Sequence, residues 1–297
     1  MNILYLSQGN YPEYQGDLLF LGLRKLLGAA VVDAPKISIL YEETFADDPN
    51  AKRKIGWGNG FTVYGLLPSL EIDRTDIPQK IQKQFFDLII YGCSYRTKPL
   101  LALVLQYYPR NKIVFIDGDD ASTIEKEIVF RGMYFKRELE KTTHGVFPIA
   151  FAAPDSIILD TVPQQKTRIF SICDPRDRST YIYKDEESYY NGYQEALFGV
   201  TTKKGGWDAL RHYEILANGC IPDFHNIENC PLLTCWNLPK YELLIAQRIA
   251  FQCRKKKQPP NMDQYTELSN MLLTYTQKHL SDVALAKYVL DTVRKNQ

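Results

Sequence analysis

The chain has 297 residues, of which 45% are hydrophobic and 24% charged. That balance excludes a wholly disordered, collagen-like or coiled-coil chain and suits one large domain or two ordinary ones with a sizeable core. Its 36 Lys and Arg against 35 Asp and Glu give a formal net charge of +1, so no global field draws it to nucleic acid or an anionic membrane and any polyanion contact must be local.

Residues 2–7, Asn-Ile-Leu-Tyr-Leu-Ser, predict a first strand, without the basic leader, long apolar run and small-residue cleavage site of a signal peptide. The loop 8–17 carries Gly9 and Gly16, and Leu18, Leu19, Leu21, Leu23, Leu26 and Leu27 then line the inward face of a first helix. Val31-Val32-Asp33 begins a second strand. The run Gly56-Trp-Gly-Asn-Gly-Phe61 resembles a dinucleotide fingerprint only superficially, because no helical pattern follows it. Its aromatics Trp57 and Phe61, with Tyr64, suit stacking on an acceptor ring. Residues 85–91 apart from Asp87, and 112–116 after Lys112, are apolar, as strands covered on both faces of a parallel sheet are, with a helix over 99–107 between them.

A domain junction is expected over 148–165, which holds Pro154, Pro163 and a Gln-Gln-Lys run and divides the chain into 1–160 and 161–297. Strand patterns return at 167–172 and 195–200, a helix at 208–217 and a turn entering a strand at 219–224, followed by closing helices at 268–280 and 282–294. The basic run 254–257 ahead of Pro259-Pro260 reads as a solvated loop. The fold class expected is α/β: two compact, Rossmann-like parallel-sheet domains facing a cleft, the first on the acceptor side and the second binding the donor. No stretch is long and apolar enough to span a membrane. Six cysteines without a C-x-x-C pair or a histidine at ligand spacing are neither a disulfide framework nor a zinc site, which points to a reducing, cytoplasmic setting.

The most informative stretch is 203–222, Lys-Lys-Gly-Gly-Trp-Asp-Ala-Leu-Arg-His-Tyr-Glu-Ile-Leu-Ala-Asn-Gly-Cys-Ile-Pro. A glycine-rich turn after a strand offers backbone N–H groups to an anion, with Lys203 and Lys204 adding charge. On the helix that follows, Trp207, Arg211 and Glu214 at i, i+4 and i+7 share a face, so a cation for phosphate and a carboxylate for a ribose diol point into one cleft. The plain alternative is a turn followed by a surface Arg211–Glu214 ion pair.

The run 210–222 resembles the donor-binding signature of GT-B glycosyltransferases, in particular the exostosin-like proteins, in which an arginine, a glutamate and a Gly-Cys-Ile-Pro-like turn recur in this order. The resemblance implies that Glu214 binds the nucleotide ribose and Arg211 the diphosphate; the glycine-rich turn adds Lys204 and the amides of Gly205 and Gly206 to the same expected diphosphate site. A common GT-B pattern has a further glutamate seven residues earlier; Trp207 occupies that place, which leaves retaining or inverting chemistry open.

In the first half, Asp117-Gly-Asp-Asp120 follows a strand, and carboxylates at the carboxyl end of a parallel strand face the ligand crevice. Asp119 and Asp120, and then Asp17 by its place after the first strand, are candidates to take the proton of an acceptor hydroxyl. Metal binding, helix capping or loop ion pairs are the alternatives for the aspartate cluster, and a plain N-cap the alternative for Asp17. Arg176, with Lys136, Arg137 and Arg178, is a secondary phosphate candidate, and His144 a lone loop histidine. The reading is a metal-independent glycosyltransferase whose nucleotide-sugar is a substrate, so that no cofactor is implied, with an unidentified acceptor. A phage-type transferase acting on modified DNA bases and a non-catalytic sugar-nucleotide-binding protein are the rivals.

Overall fold

The computed structural model describes residues 1–55 and 63–297. In the first half, β1 (Ile3–Leu6), α1 (Tyr14–Leu27), β2 (Val31–Ala34), α2 (Ile77–Gln82), β3 (Leu88–Tyr91), α3 (Leu101–Tyr107), β4 (Ile113–Asp117), α4 (Lys126–Val129), β5 (Met133–Lys136) and β6 (Val146–Pro148) follow one another. The strands hydrogen-bond in the order β2-β1-β3-β4-β5-β6, each neighbour parallel to the next. Parallel neighbours require crossover segments that cover the sheet faces, and β1, β3 and β4 are buried at every position. The chain leaves β1 toward β2 on one side and later adds β3 and β4 on the other. The strand order therefore reverses between β1 and β3, which opens a crevice at their carboxyl ends.

The second half builds a smaller sheet from β7 (Arg168–Phe170), α5 (Glu186–Gln194), β8 (Ala196–Thr202), α6 (Leu210–Ala217) and β9 (Ile221–His225), again parallel, in the order β7-β8-β9. Three helices follow: α7 (Lys240–Lys256), α8 (Met262–His279) and α9 (Asp282–Lys295). The expected α/β class of two parallel-sheet halves facing a cleft is what the chain forms. Two elements differ from expectation. The basic run 254–257 is not a loop: Arg254, Lys255 and Lys256 form the last turn of α7, where cations complement the helix dipole. Nor does the helix of 208–217 include Trp207 or Asp208; it begins at Leu210 after an extended Ala209, so Trp207 lies in the loop and shares no helix face with Arg211.

α9 does not stay with the strands that precede it. It packs on α1 of the first half so closely that a Cβ placed at Gly22 would lie 2.0 Å from the Asp282 carbonyl oxygen. Asp282, buried, pairs with Lys25 at 2.6 Å. Where the chain recrosses, Ala153 N–H donates to the Leu280 carbonyl and Asp282 N–H to the Ala153 carbonyl, each at 2.8 Å. One buried apolar cluster consequently runs from Ile3 and Leu18 through Phe198 and Leu216 to Val289. Among the described residues no helix is long and apolar enough to cross a membrane.

Candidate active site

The loops leaving β7 and β8 meet the first half over a cleft of about 410 Å3. Lys204, Gly205, Gly206, Arg211 and Glu214 line it from the second half, with Cys173, Tyr181, Tyr183 and Tyr189; Tyr14, Asp120 and Phe151 line it from the first. A larger groove of about 1040 Å3 lies elsewhere, along α9 beside Trp236, Tyr275 and Tyr288.

The Gly-Gly turn is fixed by the half opposite. A Cβ on Gly205 would fall 1.9 Å from Asp120 Oδ2, and one on Gly206 2.3 Å from Glu138 Oε1, so only glycine admits the first half this near. The Glu138 carboxylate accepts from the Trp207 and Asp208 N–H groups, both at 3.0 Å. Two of the loop's amides are thus spent on a protein carboxylate, while Gly205 and Gly206 line the cleft. Arg137, 1% exposed, locks this seam. Its guanidinium donates to Glu138 at 3.0 Å, to the Gly118 carbonyl at 3.0 Å, and to Asp120 and the Asp208 carbonyl. The Asp208 carboxylate in turn accepts from Phe151 N–H at 2.7 Å and the Tyr213 hydroxyl at 2.8 Å.

α6 carries the two charged groups of the cleft wall. The buried Glu214 carboxylate accepts from the Tyr189 hydroxyl of α5 at 2.6 Å. The Arg211 guanidinium donates to the Tyr181 hydroxyl at 2.9 Å and lies 5.4 Å from that ring's centroid. Its Nε is buried and bonds to nothing among the described residues. Lys204, which donates to the Pro175 carbonyl, has its pKa lowered by burial and then by the fields of Arg211 and Arg178. His212, on the other side of α6, is structural. Its Nε2 sits 2.9 Å from the Trp207 carbonyl, which can only accept, so this nitrogen carries the proton and Nδ1 accepts from Thr201 at 2.9 Å. Burial pushes its pKa down to about 4.

Asp120 faces the cleft, 60% exposed at its side chain and paired with Arg137. Asp119 lies one residue back and accepts from Asp120 N–H at 2.9 Å. Asp117 belongs to β4 and is buried against Lys136 at 2.9 Å and the Tyr134 hydroxyl, so loop and sheet ion pairing, not capping, organises this cluster. Asp17 lies buried in the first turn of α1, accepting from Glu13 N–H at 3.0 Å, and it is Glu13 that caps the helix, accepting from Gly16 N–H at 2.5 Å. Trp207 lies off the cleft lining, with Lys203 over its ring at 5.0 Å. Arg176 is also outside, paired with Asp174 at 2.6 Å. Tyr64 is buried beside Tyr14, at 6.2 Å between ring centroids, while Trp57 and Phe61 lie outside the described residues.

Sequence alone leaves Tyr14, Tyr181 and Tyr183 unassigned, and Tyr189 as easily core or rim as carbohydrate contact. The only signal was their density in Tyr-Ile-Tyr and Tyr-Tyr-Asn-Gly-Tyr, which composition alone does not aim at a cleft. Among the described residues no group of three or more His, Cys, Asp or Glu is gathered as metal ligands.

No protein-family model matches the chain, and no curated protein matches it. Solved structures of similar chain path include an alpha-glucosyltransferase in complex with UDP and a 13-mer DNA containing a central A:G mismatch, at 11% identity and TM-score 0.46 over 99% of this chain and 100% of that one. MurG of Acinetobacter baumannii is similar at 12% identity and TM-score 0.44, over 99% of each chain. An alpha-glucosyltransferase in complex with UDP and a 13-mer DNA containing a HMU base is similar at 10% identity and TM-score 0.41, over 98% of this chain and 99% of that one. Likenesses at these identities and TM-scores carry nothing about chemistry.

Proposed function

We propose that the chain is a nucleotide-sugar-dependent glycosyltransferase of GT-B type, with the donor against the second half and the acceptor entering from the first. The observation that supports this is the convergence in one cleft of Lys204 and Arg211, neither of which has an ion-pair partner among the described residues, with the Glu214 carboxylate, which shares α6 with Arg211. Two cations that repel each other, one with a buried N–H unpaired among the described residues, form a site short of an anion. As the bond from the anomeric carbon to the diphosphate breaks, the electron pair leaves with the diphosphate oxygen. Arg211, Lys204 and the Gly205 and Gly206 amides stabilise that charge, while Glu214 holds the ribose. The acceptor hydroxyl attacks the anomeric carbon and gives its proton to a first-half carboxylate, for which Asp120 faces the cleft. The finer likeness to exostosin-like proteins rests on the run 210–222, and the six free thiols suit a reducing compartment.

Calorimetric titration with a panel of sugar nucleotides is the test. Arg211→Ala and Glu214→Ala are each expected to weaken the best ligand by about 1.5–3 kcal/mol, the range for a hydrogen bond to a charged group, and unchanged affinity in both sinks the donor assignment. Asp120→Asn is expected to lower turnover by roughly 10²- to 10⁴-fold with donor affinity kept. Turnover is expected to survive EDTA; a loss that manganese or magnesium restores would give the leaving-group role to a metal instead.

A further inference from the structure

The reversal of strand order between β1 and β3 brings two loops together at the carboxyl end of the first sheet. Tyr11 and Pro12 come from the loop after β1, and Tyr95 and Arg96 from the turn after β3. The Arg96 guanidinium carbon lies 4.8 Å from the centroid of the Tyr11 ring and 4.9 Å from that of Tyr95, and Nη1 donates to the Pro12 carbonyl at 3.3 Å. Arg24 and Arg74 in this half pair with Asp33, and Arg137 with Asp120 and Glu138. Arg96 makes no ion pair among the described residues. Burial raises the carboxyl pKa of both its electrostatic neighbours, Glu13 to about 7 and Asp17 also upward, against the field of Arg96, which lowers both.

Rings flanking a guanidinium leave its in-plane N–H edge as the face open to a ligand, and that edge matches the two oxygens of a carboxylate or the oxygens of a phosphate. Tyr11, 57% exposed, offers an aromatic surface beside it to the apolar face of a sugar ring. The stack is tied to cleft residues in two ways: Pro12 is two residues from Tyr14, and Asp119, which with Glu13 is an electrostatic neighbour of Tyr95, precedes Asp120.

We propose that Tyr11, Tyr95 and Arg96 form a subsite for an acidic sugar, with the anionic group on the Arg96 edge and the ring against Tyr11. This deepens the glycosyltransferase reading by giving its acceptor a charge, and it rests on that reading only for the word acceptor.

Ligand-observed NMR on the intact chain, with sodium glucuronate, glucose 6-phosphate and methyl glucoside as probes, tests it. Both probes with an acid group carry the shared chemistry, and the tighter of the two names its source, carboxylate or phosphate. At least one is expected to bind tenfold or more tightly than methyl glucoside. That preference is expected to persist in Arg211→Ala, which removes the cleft cation, to vanish in Arg96→Gln, and to fall in Arg96→Lys, which keeps the charge without the planar fork. Absence of acid binding to the parent chain, an equal response to the neutral sugar, or an undiminished preference in Arg96→Gln overturns the subsite. UDP affinity, measured in the same preparations, is expected to be equal in parent and Arg96→Gln; failure of the parent to bind any nucleotide would strike the donor reading and leave the acid-probe result to decide Arg96.

Discussion

Glu13 is a carboxylate that structure reveals and sequence conceals: a loop residue by pattern, it is buried, caps α1 and has its pKa raised to about 7 by burial. A carboxyl whose folded pKa lies above its unfolded value near 4.5 contributes stability that is fully present below pH 4.5 and is lost as pH rises through 7. Glu13→Gln keeps an oxygen to accept from Gly16 N–H and cannot ionise. It is expected to be more stable than the parent at pH 8, by an amount on the order of 1–3 kcal/mol, and to lose that advantage near pH 4.5. Chemical denaturation at the two pH values measures this. The residues of the second-half cleft were more legible. Lys204, Gly205, Gly206, Arg211 and Glu214 stand within eleven positions of one another, and local geometry alone carries them to one wall. Trp207 was misplaced because helical spacing was extended across an Ala209 that is not helical.

Elements were readable where burial is complete and local. β1 and β3 are apolar from end to end, and β4 up to its last residue, Asp117, because helices and loops cover both their faces, and their existence and approximate limits follow from those runs alone. α5 was not foreseen. Its Glu-Glu-Ser-Tyr-Tyr-Asn-Gly-Tyr-Gln sequence is poor in helix formers, and it is held by Asp185, which accepts from Ser188 N–H at 2.7 Å, and by tyrosines packed beneath Glu214. α7 escaped notice because its last turn is cationic and exposed. The α1–α9 contact is invisible at this level too, since nothing in Gly22 itself says that a carbonyl from residue 282 will press on it. Gly22→Ala is expected to improve the propensity of α1 yet destabilise the protein by about 1–3 kcal/mol, since the added methyl has no room. A rise in the thermal midpoint would show that α9 yields at this contact.

At the scale of the whole molecule, Arg137 joins the halves more directly than the polypeptide junction does. Its guanidinium touches Gly118, Asp120 and Glu138 in one half and Asp208 in the other, wholly out of water. Arg137→Ala strands Glu138 and Asp208 in the seam. A loss of about 3–5 kcal/mol is expected, the usual consequence of removing one partner from a buried ion pair. Calorimetry is expected to show unfolding at lower temperature than in the parent, or in more steps; an unchanged profile would mean that the seam contributes nothing to the coupling.

The return of α9 to α1 also orders events in time. During synthesis α1 emerges early, but the helix that covers Gly22 and draws Asp282 onto Lys25 follows some 255 residues later. At bacterial or eukaryotic elongation rates that interval is on the order of tens of seconds. Throughout it the first half, though made first, keeps one flank of its core wet, and the nascent chain offers that flank to chaperones or proteases. Ribosome-stalled chains that stop before α9 should therefore be cut readily near α1, and chains that have released α9 should resist.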